Sequence, residues 1–423
     1  MPPDTAPTAR RAIALAAACL ILAAPLPRAA AAILGYMTPA AALTDTRLAA
    51  LPASQQAAWR SYLERSHALM DADRAALQAE RGQQAFPADP PEAHTAGMPL
   101  TRPDSWYATP DARHVADTIV SFQTPAGGWG KNADRSGLPR QRGQNYVNGQ
   151  SYVGTIDNDA TTTELRFLAR VQAQGGVHAR AWRDAFLKGL RYLLDAQYPN
   201  GGFPQVYPLQ GGYHDAITFN DNAMLNVVEF LASVGTRQGD YAFVPAAAAD
   251  AAGAAAGRGV SLILSSQVAS AGQPGLWGQQ HDPLTLAPAG ARNFEPAALA
   301  SAESAAILLF LMQQPAPSQE VLAAVHGGIA CLRRSALYDL EWPRAKADTG
   351  RRTVAHPGAG PLWSRYVDLA TLRPVFGDRD RSIHSDANEL SLERRNGYAW
   401  FGDWPARALA AYPAWARAHP ARP

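Results

Sequence analysis

Two acidic turns of the same type stand 63 residues apart in the sequence and are the strongest candidates for chemistry. Each follows a threonine, places three Asp or Asn residues in consecutive positions and leads into a stretch of helical periodicity. Helix capping explains a single Asp or Asn at such a place. Three in a row, twice, favours a site for a hard cation such as Ca²⁺, which prefers oxygen ligands, or a polar floor for a sugar. The residues are Asp157, Asn158 and Asp159 in the first turn and Asn220, Asp221 and Asn222 in the second.

The two turns distribute their carboxylates unequally. In the alignment of the copies, Asn158 matches Asp221 and Asp159 matches Asn222. We therefore expect the site to take a different carboxylate from each turn, Asp159 from the first and Asp221 from the second. The sequence has no Cys/His cluster with zinc spacing, which argues against zinc.

Arginines in loops are the second group of candidates. Arg292 lies in a glycine-containing turn, Arg365 lies between Ser364 and Tyr366, and Arg379 lies in a loop that alternates Asp and Arg. Each of them is by default a solvated surface charge, and the alternating loop could pair with itself. Arginine beside aromatic residues is also how a site grips carboxylates with two hydrogen bonds.

The N-terminus has the organisation of a secretory signal. Arg10 and Arg11 form a basic region, residues 12–24 form an apolar stretch, and small residues follow up to Ala32. The apolar stretch is too short to span a bilayer, so we expect residues 1–32 to be removed and the protein to be secreted or periplasmic. Twin-arginine export and a lipoprotein anchor at Cys19 are less favoured alternatives. Cys331 would then be left without a partner for an intrachain disulfide.

The charge balance excludes some partners. The full chain has a formal net charge of +2, and removal of residues 1–32 takes away three arginines and one aspartate. A nearly neutral chain offers no broad basic surface for nucleic acid, and no long apolar segment follows the signal to hold it in a membrane. Attraction for an acidic ligand must come from local arginines.

Three glycine-containing turns divide the rest of the chain into repeats of about 70 residues. They begin at Gln123, Gln197 and Gln267. Apolar periodicity predicts helices before the turns at 114–122, 181–196 and 250–266, and after them at 161–171, 223–234 and 303–312. We further expect one or two helices in 43–81, a surface linker at 86–102, a loop or frayed helix start at 246–257, and short strands near 276–286 and 362–376.

Three helix pairs predict an all-α fold, an α/α toroid in which each pair supplies one inner and one outer helix. The pattern from Gln123 to Trp129 also occurs in terpene cyclases, which are toroids of this kind. There it is structural and ties helix ends together, and we interpret it in the same way here. A cyclase would also need an aspartate-rich acid motif in an apolar cavity, and the acidic turns of this chain are rich in amides instead.

Five blocks of the chain resemble family 10 polysaccharide lyases, the pectate lyases, and come in the same order. They are residues 117–132, 155–164, 201–222, 290–304 and 377–400, within a region of roughly 106–404. The resemblance implies an (α/α)3 toroid at 103–423, preceded by a helical extension and linker at 33–102. It implies a monomer that cleaves polygalacturonate by Ca²⁺-assisted β-elimination and releases unsaturated oligogalacturonides.

The same resemblance implies roles for individual residues. Asp159 and Asp221 match the acidic positions at the calcium ion and the substrate carboxylate, and Arg292 matches the catalytic base. Arg365 and Arg379 match arginines that hold uronate carboxylates. Lys131, Asn158 and Asn222 are expected to join the substrate site.

The chemistry of β-elimination fits this assignment with one demanding step. A metal ion on the uronate carboxylate stabilises the enolate-like intermediate after the C5 proton leaves. Arginine, with a pKa of about 12.5 or higher, can take that proton only where its charged form is disfavoured. Two alternatives remain at this point. One is a glycoside hydrolase that uses Asp159 and Asp221 as its paired carboxylates, and the other is a uronate-binding protein without activity.

Overall fold

The computed structural model describes residues 33–82, 86–93, 97–147, 153–174, 179–270, 272–343 and 349–421. The predicted signal at 1–32, with Cys19, lies outside these ranges. Within them the chain forms eleven α-helices, joined by loops and very short strands. The helices are α1 Asp45–Ala49, α2 Ala53–Arg81, α3 Pro110–Ser121, α4 Thr162–Gln174, α5 Arg180–Ala196, α6 Ala223–Gly235, α7 Ala246–Ser265, α8 Ser301–Met312, α9 Gln319–Arg334, α10 Leu392–Gly397 and α11 Ala406–Ala418.

The strands are two to four residues long and sit at the helix ends. They are β1 Ile33–Tyr36, β2 Gly154–Thr155, β3 Val206–Tyr207, β4 Ile217–Thr218, β5 Ala269–Ser270, β6 Gln273–Pro274, β7 Gln280–His281, β8 Pro288–Ala289, β9 Leu299–Ala300, β10 Leu340–Glu341, β11 Val354–Ala355, β12 Trp363–Ser364, β13 Tyr366–Val367, β14 Phe376–Gly377, β15 Ser382–His384 and β16 Phe401–Gly402. β7 and β12 to β14 confirm the strands predicted near 276–286 and 362–376.

All six helices predicted from apolar periodicity are present, as α3 to α8, and α1 and α2 confirm the prediction for 43–81. α3 begins earlier than predicted because Thr109 caps it and Pro110 occupies its first position. The alanine-rich segment 246–257 is the first half of α7 rather than a loop, as the high helix propensity of alanine allows.

α9 and α11 lie outside the predictions, and their sequences show why. α9 contains two adjacent glycines, which weaken a helix signal. A Cβ on Gly327 would stand 2.3 Å from the Pro274 carbonyl oxygen, and one on Gly328 would stand 2.7 Å from Leu308. These glycines therefore let α9 approach its neighbours closely. α11 carries Pro413 in its interior, which normally argues against a helix.

The glutamines of the three turns join successive helices, as the structural interpretation of the motif predicts. The side-chain amide of Gln123 donates to the carbonyls of Gly127 in its own turn and of Ala185 in α5, both at 2.8 Å. The other two glutamines repeat this pattern, from the end of α5 to α7 and from the end of α7 to α9. Gln197 binds Gly201 at 3.0 Å and Ala255 in α7 at 2.9 Å, and Gln267 binds Gly275 at 2.9 Å and Ala324 in α9 at 3.0 Å.

Antiparallel strand pairs repeat with the helices. The strands that precede α4, α6 and α8 are β2, β4 and β9, and they pair with β3, β7 and β13 respectively. β3 and β7 follow the turns that begin at Gln197 and Gln267, and β13 follows Trp363. The pairs β4–β7 and β9–β13 bring the segments in front of α6 and α8 beside the loops that carry Arg292 and Arg365.

The largest hydrophobic core runs through α2 to α9, and a smaller core, with Phe294 and Trp400, lies under the loops between β8 and β16. The region before the repeats belongs to the large core. On α2, Tyr62 donates to the Ala196 carbonyl at 3.0 Å, and its ring lies 4.9 Å from that of Tyr198. Cys331 is buried. Among the described residues, no helix has both the length and the apolar character to cross a membrane.

Candidate active site

The two acidic turns have the same backbone conformation. Asn158 and Asp159 have φ angles of 50° and 59°, and Asp221 and Asn222 have 50° and 60°. Asn and Asp are the residues, after glycine, that best tolerate this left-handed region. The match supports the alignment of Asn158 with Asp221. Asn222 stands at the N-cap of α6 without a side-chain capping hydrogen bond, so capping does not account for it.

The carboxylates of the turns differ in their partners. Asp157 is buried and forms an ion pair with Lys131. Asp159 accepts a hydrogen bond from the side-chain amide of Asn226 on α6, and Asp221 accepts one from Asn220 at 2.8 Å. Both are exposed, and within the described ranges neither is in an ion pair. They are therefore the carboxylates of this pair of turns that remain available to a cation.

Asp159 lies close to charged side chains of both signs. Partial burial raises its pKa above the ordinary value, and the nearby carboxylates of Asp221 and Asp157 raise it further, against the effect of Arg166 and Asn226. A cation beside Asp159 and Asp221 would relieve this repulsion.

A cavity of about 790 Å³ opens at the acidic turns, with Asn132, Asn158, Asp159 and Asp221 in its wall. This oxygen-rich set fits calcium, which accepts amide and water oxygens beside carboxylates. In the described part of the chain, no three His, Cys, Asp or Glu side chains cluster in an arrangement that would hold a metal. A calcium ion at the two aspartates would accordingly need amide, water or substrate oxygens to complete its coordination.

Arg292 is held by a carboxylate that the sequence analysis does not assign to the site. Its Nε donates to Glu295 Oε2 at 2.8 Å and its Nη2 donates to Oε1 at 2.5 Å. Glu295 is buried, whereas the Arg292 side chain is about half exposed. These hydrogen bonds to Glu295, and its charge, raise the pKa of Arg292 well above the ordinary value for arginine. The shift is opposite in direction to the one that a base requires.

A chain of hydrogen bonds connects this arginine pair with the second acidic turn. The Tyr398 hydroxyl donates to Glu295 at 2.8 Å and lies 2.8 Å from the Tyr366 hydroxyl. Tyr366 donates to the side-chain oxygen of Gln279, whose amide group donates to Asn220. Position 292 and the acidic turn are therefore parts of one connected network.

Arg365 and Arg379 have carboxylate partners as well. Arg365 donates to Glu303 at 3.0 Å and is largely buried, with its guanidinium 5.1 Å from the Tyr398 ring centre. Burial lowers the pKa of Arg365, but Glu303, together with Tyr398, Tyr366 and Asp221, outweighs this effect and the pKa is raised. Arg379 is exposed and pairs with Glu393 at 3.2 Å, so the alternative that its loop pairs with itself is wrong.

A second cavity, of about 200 Å³, brings the predicted residues together. Four of the eight line it: Lys131, Asn158, Asp221 and Arg292. Asp159 lies in the adjoining cavity of 790 Å³, which shares Asn158 and Asp221 with this one. Six further residues line the smaller cavity, namely Asp157 and Asn220 of the acidic turns and Gln205, Tyr213, Gln280 and Glu295, which the sequence patterns do not indicate. For Glu295, the spacing of three residues from Arg292 is the signal that could have indicated it.

Comparison with known proteins finds one family and solved structures of one of its members. The family model of pectic acid lyases matches residues 123–409. A family 10 polysaccharide lyase from Cellvibrio cellulosa, solved as an aspartate-to-alanine variant with trigalacturonic acid, is 33% identical with a TM-score of 0.64, over 74% of this chain and 95% of its own. The lyase without that substitution has the same identity and TM-score, over 76% and 99%. Curated protein sequences give no match.

The matched region contains every residue predicted for the site. The identity and coverage decide between the three functional classes left open by the sequence, because they place the chain among lyases rather than hydrolases or proteins without activity. This protein is a lyase that belongs to the pectic acid lyase family, family 10 of the polysaccharide lyases.

Proposed function

We propose that the protein cleaves polygalacturonate by Ca²⁺-assisted β-elimination, with Arg292 as the base that removes the C5 proton. The observation that carries the proposal is the convergence of Lys131, Asn158, Asp221 and Arg292 on one small cavity. Lys131 and Arg292 supply positive charge to this cavity, and the acidic turns supply Asn158 and Asp221. The reaction breaks the C5–H and C4–O bonds and leaves a double bond between C4 and C5.

Asp159 and Asp221 would hold the calcium ion, with amide oxygens of the turns and the substrate carboxylate beside them. When bound, calcium supplies charge withdrawal from that carboxylate, which makes the C5 proton more acidic. The position of Asp159 and Asp221 in the wall of one cavity supports this assignment. Lys131, Asn158 and Asn222 bind the substrate next to the ion.

Arg292 must be neutral when it accepts the proton, and Glu295 opposes this in the free protein. The base role therefore includes a change at Glu295 on substrate binding, in which its two hydrogen bonds to Arg292 weaken. Glu295 would keep the hydrogen bond from the Tyr398 hydroxyl when its hydrogen bonds to Arg292 weaken. Arg365 and Arg379, one buried against Glu303 and one exposed, bind uronate carboxylates on either side of the cleaved bond.

The proposal extends to the architecture and location of the protein. The three glutamines link α3, α5, α7 and α9 in succession, and this supports an (α/α)3 toroid with α4, α6 and α8 on its inner side. Residues 103–423 then form the catalytic domain and 33–102 an extension. We further propose that the protein is a monomer, secreted after removal of residues 1–32.

The test is the ultraviolet absorbance of unsaturated products during incubation of the mature protein with polygalacturonate and Ca²⁺. We expect absorbance to rise, a chelator to stop it, and added calcium to restore it. Saturated products with new reducing ends, or a rate unchanged by the chelator, would contradict the mechanism.

The base assignment has its own test. Arg292→Ala and Arg292→Lys should both lower kcat by at least about a thousandfold, in the range lost when a general base is removed. Circular dichroism and thermal unfolding check that the fold is retained. A near wild-type kcat in Arg292→Ala would move the base to another residue.

A further inference from the structure

The cations predicted to bind substrate are all engaged by carboxylates of the protein itself. The pairs are Lys131 with Asp157, Arg292 with Glu295, Arg365 with Glu303 and Arg379 with Glu393. A paired guanidinium or ammonium attracts a further carboxylate less strongly than a free one, because its charge is already neutralised. The binding of a polyanionic chain therefore favours a cation without such a partner close to these cavities.

Arg102 is such a cation. Its side chain lines the cavity of about 790 Å³, together with Asn158, Asp159 and Asp221. Across the ranges that the structure describes, Arg102 has no ion-pair partner, and it is exposed. The guanidinium stands 5.9 Å from the ring centre of Trp106, an aromatic neighbour of the kind on which arginine stacks.

The segment around Arg102 is fixed to the rest of the molecule. The carbonyl of Pro99 accepts from the Tyr107 hydroxyl at 2.9 Å, and the carbonyl of Leu100 accepts from Arg170 on α4 at 2.7 Å. Met98 is buried in the large core. The backbone just before Arg102 is therefore anchored, and it holds Arg102 in the wall of the cavity that also contains the acidic turns.

The cavity with Arg102 continues the cavity with Arg292. Asn158 and Asp221 belong to both, so a sugar chain that leaves the smaller cavity over the second acidic turn enters the larger one. Arg102 precedes residue 123, where the match to the family model begins. It is thus a contribution of the N-terminal extension of this chain, outside the part that the family model describes.

We propose that Arg102 binds the carboxylate of a galacturonate residue at a position outside the cleaved bond, so that the N-terminal extension adds a sugar subsite to the catalytic domain. The proposal rests on the proposed function, because it assumes a polygalacturonate chain across both cavities. Among the described residues no hydrogen bond engages the Arg102 guanidinium, so it can offer a carboxylate two parallel hydrogen bonds.

The test measures kcat and KM on purified oligogalacturonates of increasing length, for the wild type, Arg102→Ala and Arg102→Lys. For chains long enough to reach the subsite, Arg102→Ala should raise KM on the order of tenfold, the loss of one charge-assisted contact. The kcat should change much less, and the shortest substrates should show no effect. Arg102→Lys should retain part of the affinity, since it keeps the charge without the paired donors.

Arg183→Ala is the matched control. Arg183 is an exposed arginine on α5, and among the described residues it has no ion-pair partner, so its removal changes net charge equally without touching the cavity. It should leave KM unchanged at every length. Equal KM values for Arg102→Ala and the wild type at all lengths, or an equal rise in Arg183→Ala, would overturn the subsite.

A binding measurement separates this proposal from the proposed function. Calorimetry with the same oligomers is carried out in an Arg292→Ala background, where no turnover interferes. If the wild type produces no unsaturated sugar, the lyase mechanism fails. The subsite is then upheld when Arg102→Ala weakens binding of the longer oligomers only, and rejected when affinities are equal at all lengths.

Discussion

At the scale of single residues, the site is governed by the contact between Arg292 and Glu295. Two hydrogen bonds from one guanidinium to one buried carboxylate form a strong ion pair. The pair fixes the position of Arg292 beside the cavity and at the same time keeps it protonated. Glu295 therefore positions Arg292 but disfavours its neutral, basic form. A change at Glu295 should alter the pKa of Arg292.

Glu295→Gln should move the pH dependence of kcat/KM to lower pH. Glutamine keeps the shape of the side chain but removes the charge that raises the pKa of Arg292. A lower pKa gives a larger fraction of neutral arginine at a given pH, so the alkaline rise in kcat/KM should begin earlier. The profile is measured on short oligogalacturonates at saturating calcium, because kcat/KM reports the pKa values of the free enzyme.

Glu341→Gln serves as the control for this experiment. The Glu341 carboxylate also contacts a basic side chain, the exposed His356 at 2.9 Å. Glu341 lies on β10 and lines neither of the two cavities. Its profile should coincide with that of the wild type. If Glu295→Gln leaves the profile in place while activity persists, the titrating base is not Arg292.

At the scale of elements, the acidic turns act through their pairing. Each turn presents one carboxylate free of an ion pair, on a backbone that holds two consecutive left-handed residues in front of a helix. Neither turn alone supplies both carboxylates, whereas two turns held side by side in front of α4 and α6 place Asp159 and Asp221 on one cavity.

Calcium should accordingly stabilise the folded protein through both turns together. A ligand that binds only the native state adds about 2.7 kcal/mol at a hundred times its Kd, which is seen as a rise in Tm. Asp159→Asn and Asp221→Asn should each weaken calcium binding by about tenfold or more and reduce this rise. Asp250→Asn, on the exposed face of α7, should retain it, and equal Tm shifts in all four proteins would place the ion elsewhere.

The glutamine links between helices make a prediction about stability. Gln197→Ala leaves the carbonyls of Gly201 and Ala255 without their donor and also removes the acceptor of Arg258, which binds Gln197 at 2.6 Å. Because each buried group left unpaired costs about 1–3 kcal/mol, we expect a loss of about 2–4 kcal/mol in the free energy of unfolding.

Denaturant unfolding measures this loss, with Gln78→Ala as the control. Gln78 is exposed on α2, and its replacement should change the free energy by less than about 0.5 kcal/mol. A change of that small size in Gln197→Ala would mean that the glutamine does not tie the helices together.

The sequence predicts local elements well and long-range pairing poorly. Apolar periodicity indicates α3 to α8, because each helix buries one face. The turn composition indicates Asp159 and Asp221 for a similar local reason.

Tyr398 and Glu295 are 103 positions apart, and no local pattern relates a tyrosine at the end of one loop to a carboxylate in another. Trp363 donates to the Leu332 carbonyl at 2.8 Å, as the tryptophans of the repeats donate to carbonyls of the preceding helices. The sequence does not indicate this equivalence, because no glutamine-containing turn precedes Trp363.

At the scale of the whole molecule, α2 is joined to the helical repeats by polar as well as apolar contacts. Glu80 on α2 pairs with Arg140 at 2.6 Å. Nearby, Asp73 is fully buried, and within the described residues its carboxylate oxygens lack hydrogen-bond partners of ordinary geometry. Burial raises the pKa of Asp73 to about 7, against smaller opposing effects of the Ala126 backbone and the Lys188 ammonium.

Asp73 should make the stability of the protein depend on pH. Its pKa is higher in the folded state than in the unfolded chain, where it is near 3.9. The folded state therefore binds the extra proton between these two values, and stability falls as pH rises from about 4 to about 7. Asp73→Asn, which cannot ionise, should match the wild type near pH 4 and exceed it above pH 7 by up to about 4 kcal/mol.

Denaturant unfolding at a series of pH values tests this, and Asp71→Asn is the control on the same helix. Asp71 is exposed, so its replacement should leave the pH dependence of the wild type intact. If the curves of Asp73→Asn and the wild type run parallel from pH 4 to 8, Asp73 does not titrate in this range. If they diverge as expected, the buried carboxyl group of Asp73 on α2 lowers the stability of the fold as it ionises toward pH 7.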